Sequence, residues 1–266
     1  MRCPMGRRYG DCPAPRAAAG LSRAQAGEPA DDNRSVTASD RTTDRTSDRK
    51  TDRAADPDPD TVAVLDFETT GMSPAMGARA TEIAVVLVRE GRVVDRYASL
   101  MNSGAWVPLF IEQLTGISNR MLATAPPTAQ VMREVADFTR GCALVAHNAS
   151  FDRGFWRHEM ALAGVDADTT DSEPPFGCTL LLSRRLYPDA PNHQLGTLAR
   201  FHGITPTGRA HRALADAEMA AGLWLRIVHD VQARYAATVP FGLLCALQRT
   251  PRQQLARQVA RYFAQV

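Results

Sequence analysis

Three short segments of this 266-residue chain place carboxylates where carboxylates are awkward. The first is Asp66-Phe67-Glu68-Thr69-Thr70-Gly71, which continues the apolar run Thr61-Val62-Ala63-Val64-Leu65. Along a strand, residues two apart share a face. Asp66 and Glu68 then project together, and Phe67 points the other way into packing. Two carboxylates side by side repel each other at neutral pH, and a divalent cation is the simplest compensation. Gly71 permits a tight backbone approach to a ligand. Taken alone, an acid-x-acid pair also fits a solvated strand end.

The second segment is His147-Asn148-Ala149-Ser150-Phe151-Asp152, directly after the apolar stretch 142–146. Asp152 falls in the first turn of the next helix, where an aspartate also complements the helix dipole. Asn148 alone is equally a turn residue. The third is His211-Arg212-Ala213-Leu214-Ala215-Asp216. Five residues along a helix rotate the side chain by about 140°, so a regular helix cannot aim both ends at one point. With His211 in the loop after Gly208-Arg209 and Asp216 on the helix proper, both reach a shared centre.

These segments need a scaffold, and the pattern supplies one. An apolar run without alternation over 61–65 suits a strand buried on both faces. Residues 82–89 and 92–100 read as two more strands, with Gly91 at the hairpin turn. Helices are expected over 108–114 and 128–140, the first opening with Pro108 and the second preceded by Pro126-Pro127. A strand over 142–146 is followed by a helix over 150–163. A brief strand near 176–178 leads into a helix over 179–186. Further helices cover 194–202 and 212–234. The order predicts an α/β fold with a mixed central sheet covered by helices on both sides.

The flanks differ from this scaffold. Residues 1–60 hold few large apolar residues, and Asp-Arg pairs recur every four residues from Asp40-Arg41 to Asp52-Arg53. Thr and Ser between them are poor helix formers, and no apolar stripe exists to dock, so a disordered low-complexity tail is expected. Asp56-Pro57-Asp58-Pro59 marks the boundary. The core domain is then 61–232, and 233–266 is a basic helical extension. That extension carries Arg249, Arg252, Arg257 and Arg261, which could contact nucleic acid, but the apolar face from Leu243, Leu244, Leu247, Leu255, Val259 and Phe263 favours packing on the domain.

Composition narrows the function classes. The formal net charge of +2 is too small for a general nucleic-acid coat, so any such binding is local. Lys50 is the only lysine. Arginine suits phosphate, although genomic base composition also converts lysine to arginine. Five scattered cysteines show neither zinc-ligand spacing nor a disulfide framework, which fits a reducing cytoplasm. No stretch approaches the roughly eighteen apolar residues that span a membrane, and no phosphate-binding G-x-x-x-x-G-K-[ST] loop occurs.

Acids in the order D-x-E, then N-x-x-F-D, then H-x-x-x-x-D make the chain resemble the DEDDh 3′→5′ exonucleases of the ribonuclease-H-like superfamily. It is similar in particular to the proofreading epsilon subunit of bacterial DNA polymerase III. Leu114-Thr115-Gly116-Ile117, Cys178-Thr179, His193-Gln194-Leu195 and Thr197-Leu198 add to the resemblance, which covers about 61–230. It implies a ribonuclease-H-like sheet and two Mg²⁺ or Mn²⁺ ions about 4 Å apart. Asp66 would bridge both ions, Glu68 and Asp216 would hold the one with the attacking water, and Asp152 would serve the second. His211 would be the general base, since an imidazole that titrates at about 6.5 stays basic at cellular pH. Thr69, Thr70 and Gly71 would hold the terminal nucleotide, Asn148 its sugar or phosphate, and Phe151 a base or sugar. Phe151 fits plain core packing equally well.

The implied activity is removal of nucleotides from a single-stranded DNA 3′ end, in proofreading or repair, with a polymerase as partner. Two alternatives stay open. The same site could trim RNA, since the chemistry attacks phosphate and the 2′-hydroxyl is read elsewhere. A catalytically silent module could keep the fold for binding alone.

Overall fold

A computed structural model describes residues 61–165, 175–235 and 238–265. The expected disordered tail, 1–60, lies outside the described residues. The sheet begins with β1 (Val62–Thr69), β2 (Ala80–Arg89) and β3 (Arg92–Leu100). Helices α1 (Leu109–Thr115), α2 (Asn119–Ala123) and α3 (Thr128–Phe138) follow, then β4 (Ala143–Ala146) and α4 (Ser150–Leu162). The chain continues through β5 (Phe176–Cys178), α5 (Thr179–Leu186), α6 (Leu195–Phe201) and α7 (Ala213–Tyr235) to α8 (Phe241–Leu247) and α9 (Leu255–Phe263).

The five strands lie in the order β3-β2-β1-β4-β5. β1, β2 and β3 are antiparallel neighbours, whereas β4 is parallel to β1 and β5 parallel to β4. The sheet is therefore mixed, as expected. The two-residue loop Glu90-Gly91 has φ of 50° and 75°, and positive φ at both central positions is the type I′ hairpin signature.

Alternation along β1 sorts its side chains between two cores. Val64, with Ala84 and Val86 of β2, packs against Ala217, Ala220, Ala221 and Trp224 of α7. Ala63, Leu65 and Phe67, with Ile83 and Val85, pack against Val131, Met132 and Val135 of α3 and Phe155 of α4. Each large side chain buried this way contributes about 1.5–3 kcal/mol. The alanines let α7 approach the sheet closely, and that approach brings its first turn to the end of β1.

Local differences from expectation have local causes. β1 runs on through the acidic motif to Thr69, because Glu68 and Thr69 still pair with β2 across a bulge. α2 was not expected. It is five residues long, and Ser118 caps it by accepting from the Met121 N–H. A single turn of 3₁₀ helix at Pro74–Met76, capped by Ser73, was also not expected.

The last two helices join the same core. Leu243, Leu244 and Leu247 of α8 and Leu255 and Val259 of α9 are buried. Gln248 fastens this segment to the outer edge of β5: its Oε1 accepts from the Cys178 N–H at 2.7 Å, and its Nε2 donates to the Phe176 carbonyl at 3.2 Å. One amide side chain thus occupies the place of a sixth strand. Among the described residues, no helix is long and apolar enough to cross a membrane.

Candidate active site

The site forms where β1 outruns its neighbour. β4 pairs only with Val62, Ala63 and Val64, so the acidic half of β1 has no strand on that side. Asp66 and Glu68 share the face that carries Val64, and they point toward α7.

The space beyond β4 is taken by the start of α4. Asp152, in its first turn, is 2% exposed, and its Oδ1 accepts from the Phe67 N–H at 3.2 Å. A backbone group that β4 leaves unpaired is thereby satisfied. The same bond anchors Asp152 beside Asp66 and Glu68.

From the other side, α7 starts at Ala213. His211 therefore stands outside the helix, with φ of 61°, while Asp216 lies in the first turn. The His211 N–H donates to Asp216 Oδ2 at 3.0 Å, which folds the loop back over the helix end. One oxygen of Glu68, one of Asp216 and a ring nitrogen of His211 all lie within 4.8 Å of one another. Loop and helix placement resolves the five-residue spacing as anticipated.

The crowding of these acids shows in their electrostatics. Asp66 is pushed well above the usual carboxylate range, first by burial and then by the Asp152, Glu68 and Asp216 carboxylates. Glu68 rises to about 8, by burial and then by Asp216 and Glu82, against a lowering pull from Arg212. Asp152 rises to about 7 through burial, opposed by the Phe67 N–H. Asp216 is raised by burial and lowered by its bond from His211. Four hard oxygen donors that resist ionisation together suit divalent cations such as Mg²⁺ or Mn²⁺.

Two acids that sequence reasoning missed hold the frame. Glu82 stands opposite Glu68 on β2. It accepts two bonds from Arg212, at 3.0 and 2.7 Å, and a third from the Ala213 N–H at 3.0 Å. Glu159 on α4, fully buried, accepts two bonds from Arg79 at 2.9 Å each and one from the Ala80 N–H at 3.0 Å. The available signal was slight: Glu82 is a lone acid ahead of the apolar run 83–88 of β2, and Glu159 lies one turn after the buried Phe155 on α4. An arginine fork satisfies a buried carboxylate with two parallel charge-assisted bonds.

The residues expected to contact the nucleotide have the following surroundings. Thr69 Oγ1 donates to the Gly71 carbonyl at 2.6 Å, and Thr70 is bonded twice to the backbone of Arg79. A Cβ on Gly71 would lie 3.3 Å from that of Ala78, so the turn itself is close-packed. Asn148 has φ of 64°, a left-handed conformation that Asn tolerates better than most residues. Half-buried Phe151 packs on Phe155, with ring centroids 5.0 Å apart. His147 is structural: its ring nitrogens face Thr179 Oγ1 at 2.9 Å and the His193 carbonyl at 3.0 Å. Burial lowers its pKa to about 4. A cleft of about 690 Å³ opens beside Asn148, bounded by Leu180, Arg184, Asn192 and Gln194.

Comparison with known proteins agrees with this geometry. The 3′-5′ exonuclease DinG of Bacillus subtilis is 34% identical over 189 residues, covering 70% of this chain and 19% of DinG. The DNA polymerase III subunit epsilon-like protein of Rhodobacter capsulatus is 37% identical over 181 residues, covering 67% of this chain and 25% of that protein. The chain thus spans a quarter or less of these relatives' lengths. Exonuclease X, solved with 5′ overhanging duplex DNA, superposes with a TM-score of 0.54 at 24% identity, over 70% of this chain and 99% of that one. The nuclease domain of 3′hExo, a DEDDh family member bound to rAMP, gives 0.54 at 20% identity, over 64% and 92%. These likenesses establish a ribonuclease-H-like exonuclease fold. The exonuclease family model RNase_T matches residues 63–224, which include all four converging acids and His211. The chain belongs to this exonuclease family.

Proposed function

We propose that this protein is a 3′→5′ exonuclease that hydrolyses the terminal phosphodiester of single-stranded DNA. The observation that carries the reading is the convergence of Asp66, Glu68, Asp152 and Asp216 with His211 at one sheet end. Arg212, whose charge reaches Glu68, is already engaged by Glu82. Mutually repelling buried carboxylates are costly to the fold and suited to cations.

Asp66 would hold both of two divalent ions, Glu68 and Asp216 one of them, and Asp152 the other. When bound, such ions stabilise the attacking and leaving oxygens of an in-line displacement. The protein's own groups do the remainder. His211 accepts the proton of the attacking water at a ring nitrogen, and the Asp216 carboxylate steadies its loop through the His211 N–H. Thr69, Thr70 and Gly71 seat the terminal nucleotide, Asn148 bonds its sugar or phosphate, and the exposed part of Phe151 lies against a base or sugar. Aromatic stacking tolerates any base, which fits trimming without regard to sequence. Relatives named as polymerase III proteins favour a polymerase as partner and a role in proofreading or repair.

The test is digestion of 5′-labelled single-stranded DNA and RNA by the full chain, with Mg²⁺ or Mn²⁺ and with chelator. Stepwise shortening from the 3′ end, faster on DNA and abolished by chelator, is the expected result. Faster shortening of RNA would move the assignment to RNA trimming. Binding without shortening of either would leave a silent module on the same fold.

A further inference from the structure

We propose that Arg249, Arg252, Arg257 and Arg261 form a second nucleic-acid contact, gripping phosphates of the strand upstream of its 3′ end. This rests on the exonuclease reading above. All four side chains belong to exposed residues. Arg257 and Arg261 lie one turn apart on α9, whose opposite face buries Leu255 and Val259. Among the described residues no carboxylate pairs with any of the four. Arg79, Arg96, Arg140, Arg212 and Arg226, by contrast, are all engaged by acids. No aspartate or glutamate occurs after Asp230. A merely solvated helix face in a nearly neutral chain mixes both signs, and this one carries a single sign.

Position gives the surface its occupant. Gln248, next to Arg249, bonds the Cys178 N–H. Cys178 stands opposite Ala146, the last residue of β4 before His147 and Asn148. The arginine row therefore begins at the same end of the sheet as the acids. Neighbouring strands lie about 4.8 Å apart, so β1, β4, β5 and Gln248 in sequence put the start of the row roughly 14 Å from Leu65, the residue before Asp66. At about 3.4 Å per stacked nucleotide, a strand seated in the site reaches it after about four nucleotides. The guanidinium fork matches phosphate oxygens. A second contact on a strand already held at its end adds avidity without new chemistry. The row lies beyond the family-matched residues 63–224.

The experiment compares wild type with the triple variant R252A/R257A/R261A, which changes only exposed side chains. Binding of fluorescent dT16 and dT3 is measured in Ca²⁺ across a salt series, with hydrolysis of p-nitrophenyl thymidine 5′-phosphate in Mn²⁺ as the control. Each lost phosphate contact lowers the log–log salt slope by about 0.7 for a single strand, so the dT16 slope should fall by about 2. The dT3 slope and small-substrate turnover should not change. An unaltered dT16 slope, or equal losses on dT16 and dT3, would overturn the proposal. Wild type that shows the arginine-dependent slope yet hydrolyses nothing would sink the exonuclease reading and leave the grip standing.

Discussion

Glu68 and Glu82 stand directly opposite each other on β1 and β2, and Arg212 hydrogen-bonds Glu82 but acts on Glu68 only through its charge. Like charges in register destabilise a sheet, and Arg212 relieves one partner while leaving the other high. It also ties the first turn of α7, and with it Asp216, to the sheet. Arg212→Ala should lower the unfolding free energy by about 2 kcal/mol, the cost of leaving a buried carboxylate short of donors. Glu82→Gln added to it should restore part of that loss. Urea midpoints at pH 7.5 decide this, and an unchanged midpoint for the single variant would contradict the framing role.

The raised carboxylates make metal-free stability depend on pH in a definite direction. Unfolded Glu and Asp release their protons at about 4.3 and 3.9, whereas folded Glu68 and Asp152 hold theirs to about 8 and about 7. Between those limits the folded state binds more protons, so stability falls as pH rises. His147 acts oppositely: its folded value is about 4, below the unfolded value of about 6.5, so its contribution is lost as pH falls through that window. Melting in chelator from pH 6.5 to 8.5 isolates the carboxylates. The melting temperature should decline across this range, and Mn²⁺ should raise it most at the alkaline end. A rising curve in chelator is the opposing outcome.

Site acids should trade stability for chemistry. Glu68→Gln removes a charge from a crowded, buried position and leaves the shape nearly unchanged. In chelator at pH 8 the variant should melt higher than wild type, and at pH 5 the difference should shrink. Exonuclease activity should disappear throughout. A variant that melts lower at pH 8 would mean that Glu68 is held by compensating contacts.

Asn148 allows backbone and side-chain roles to be separated. Its left-handed conformation costs an ordinary residue about 1–2 kcal/mol, and glycine essentially nothing. Asn148→Ala should therefore be less stable than Asn148→Gly by roughly 1 kcal/mol. If the amide bonds the terminal nucleotide, both should raise KM equally. Wild-type KM in the glycine variant would remove Asn148 from the nucleotide site.

Much of this arrangement was legible in the residues. Alternation alone put Asp66 and Glu68 on one face and Phe67 on the other, and the five-residue spacing required His211 to leave the helix that carries Asp216. Turn chemistry located Gly91, and the strand 176–178 and helix 179–186 stand where the pattern put them. What could not be read depends on partners far apart in the chain. The bond from the Phe67 N–H to Asp152 exists only because β4 stops short. The Glu82–Arg212 and Glu159–Arg79 pairs join residues that only the folded sheet and helices bring together. Gln248 reads as an ordinary helix-end residue until β5 presents a free edge.

Mn²⁺ titration of the metal-free chain, followed by electron paramagnetic resonance, tests the central claim most directly. The convergent acids predict two bound ions per chain at pH 8, with Asp66→Asn losing both and an exposed-site control such as Glu90→Gln losing neither. Wild type that binds no Mn²⁺, or Asp66→Asn that binds as wild type does, would contradict the account.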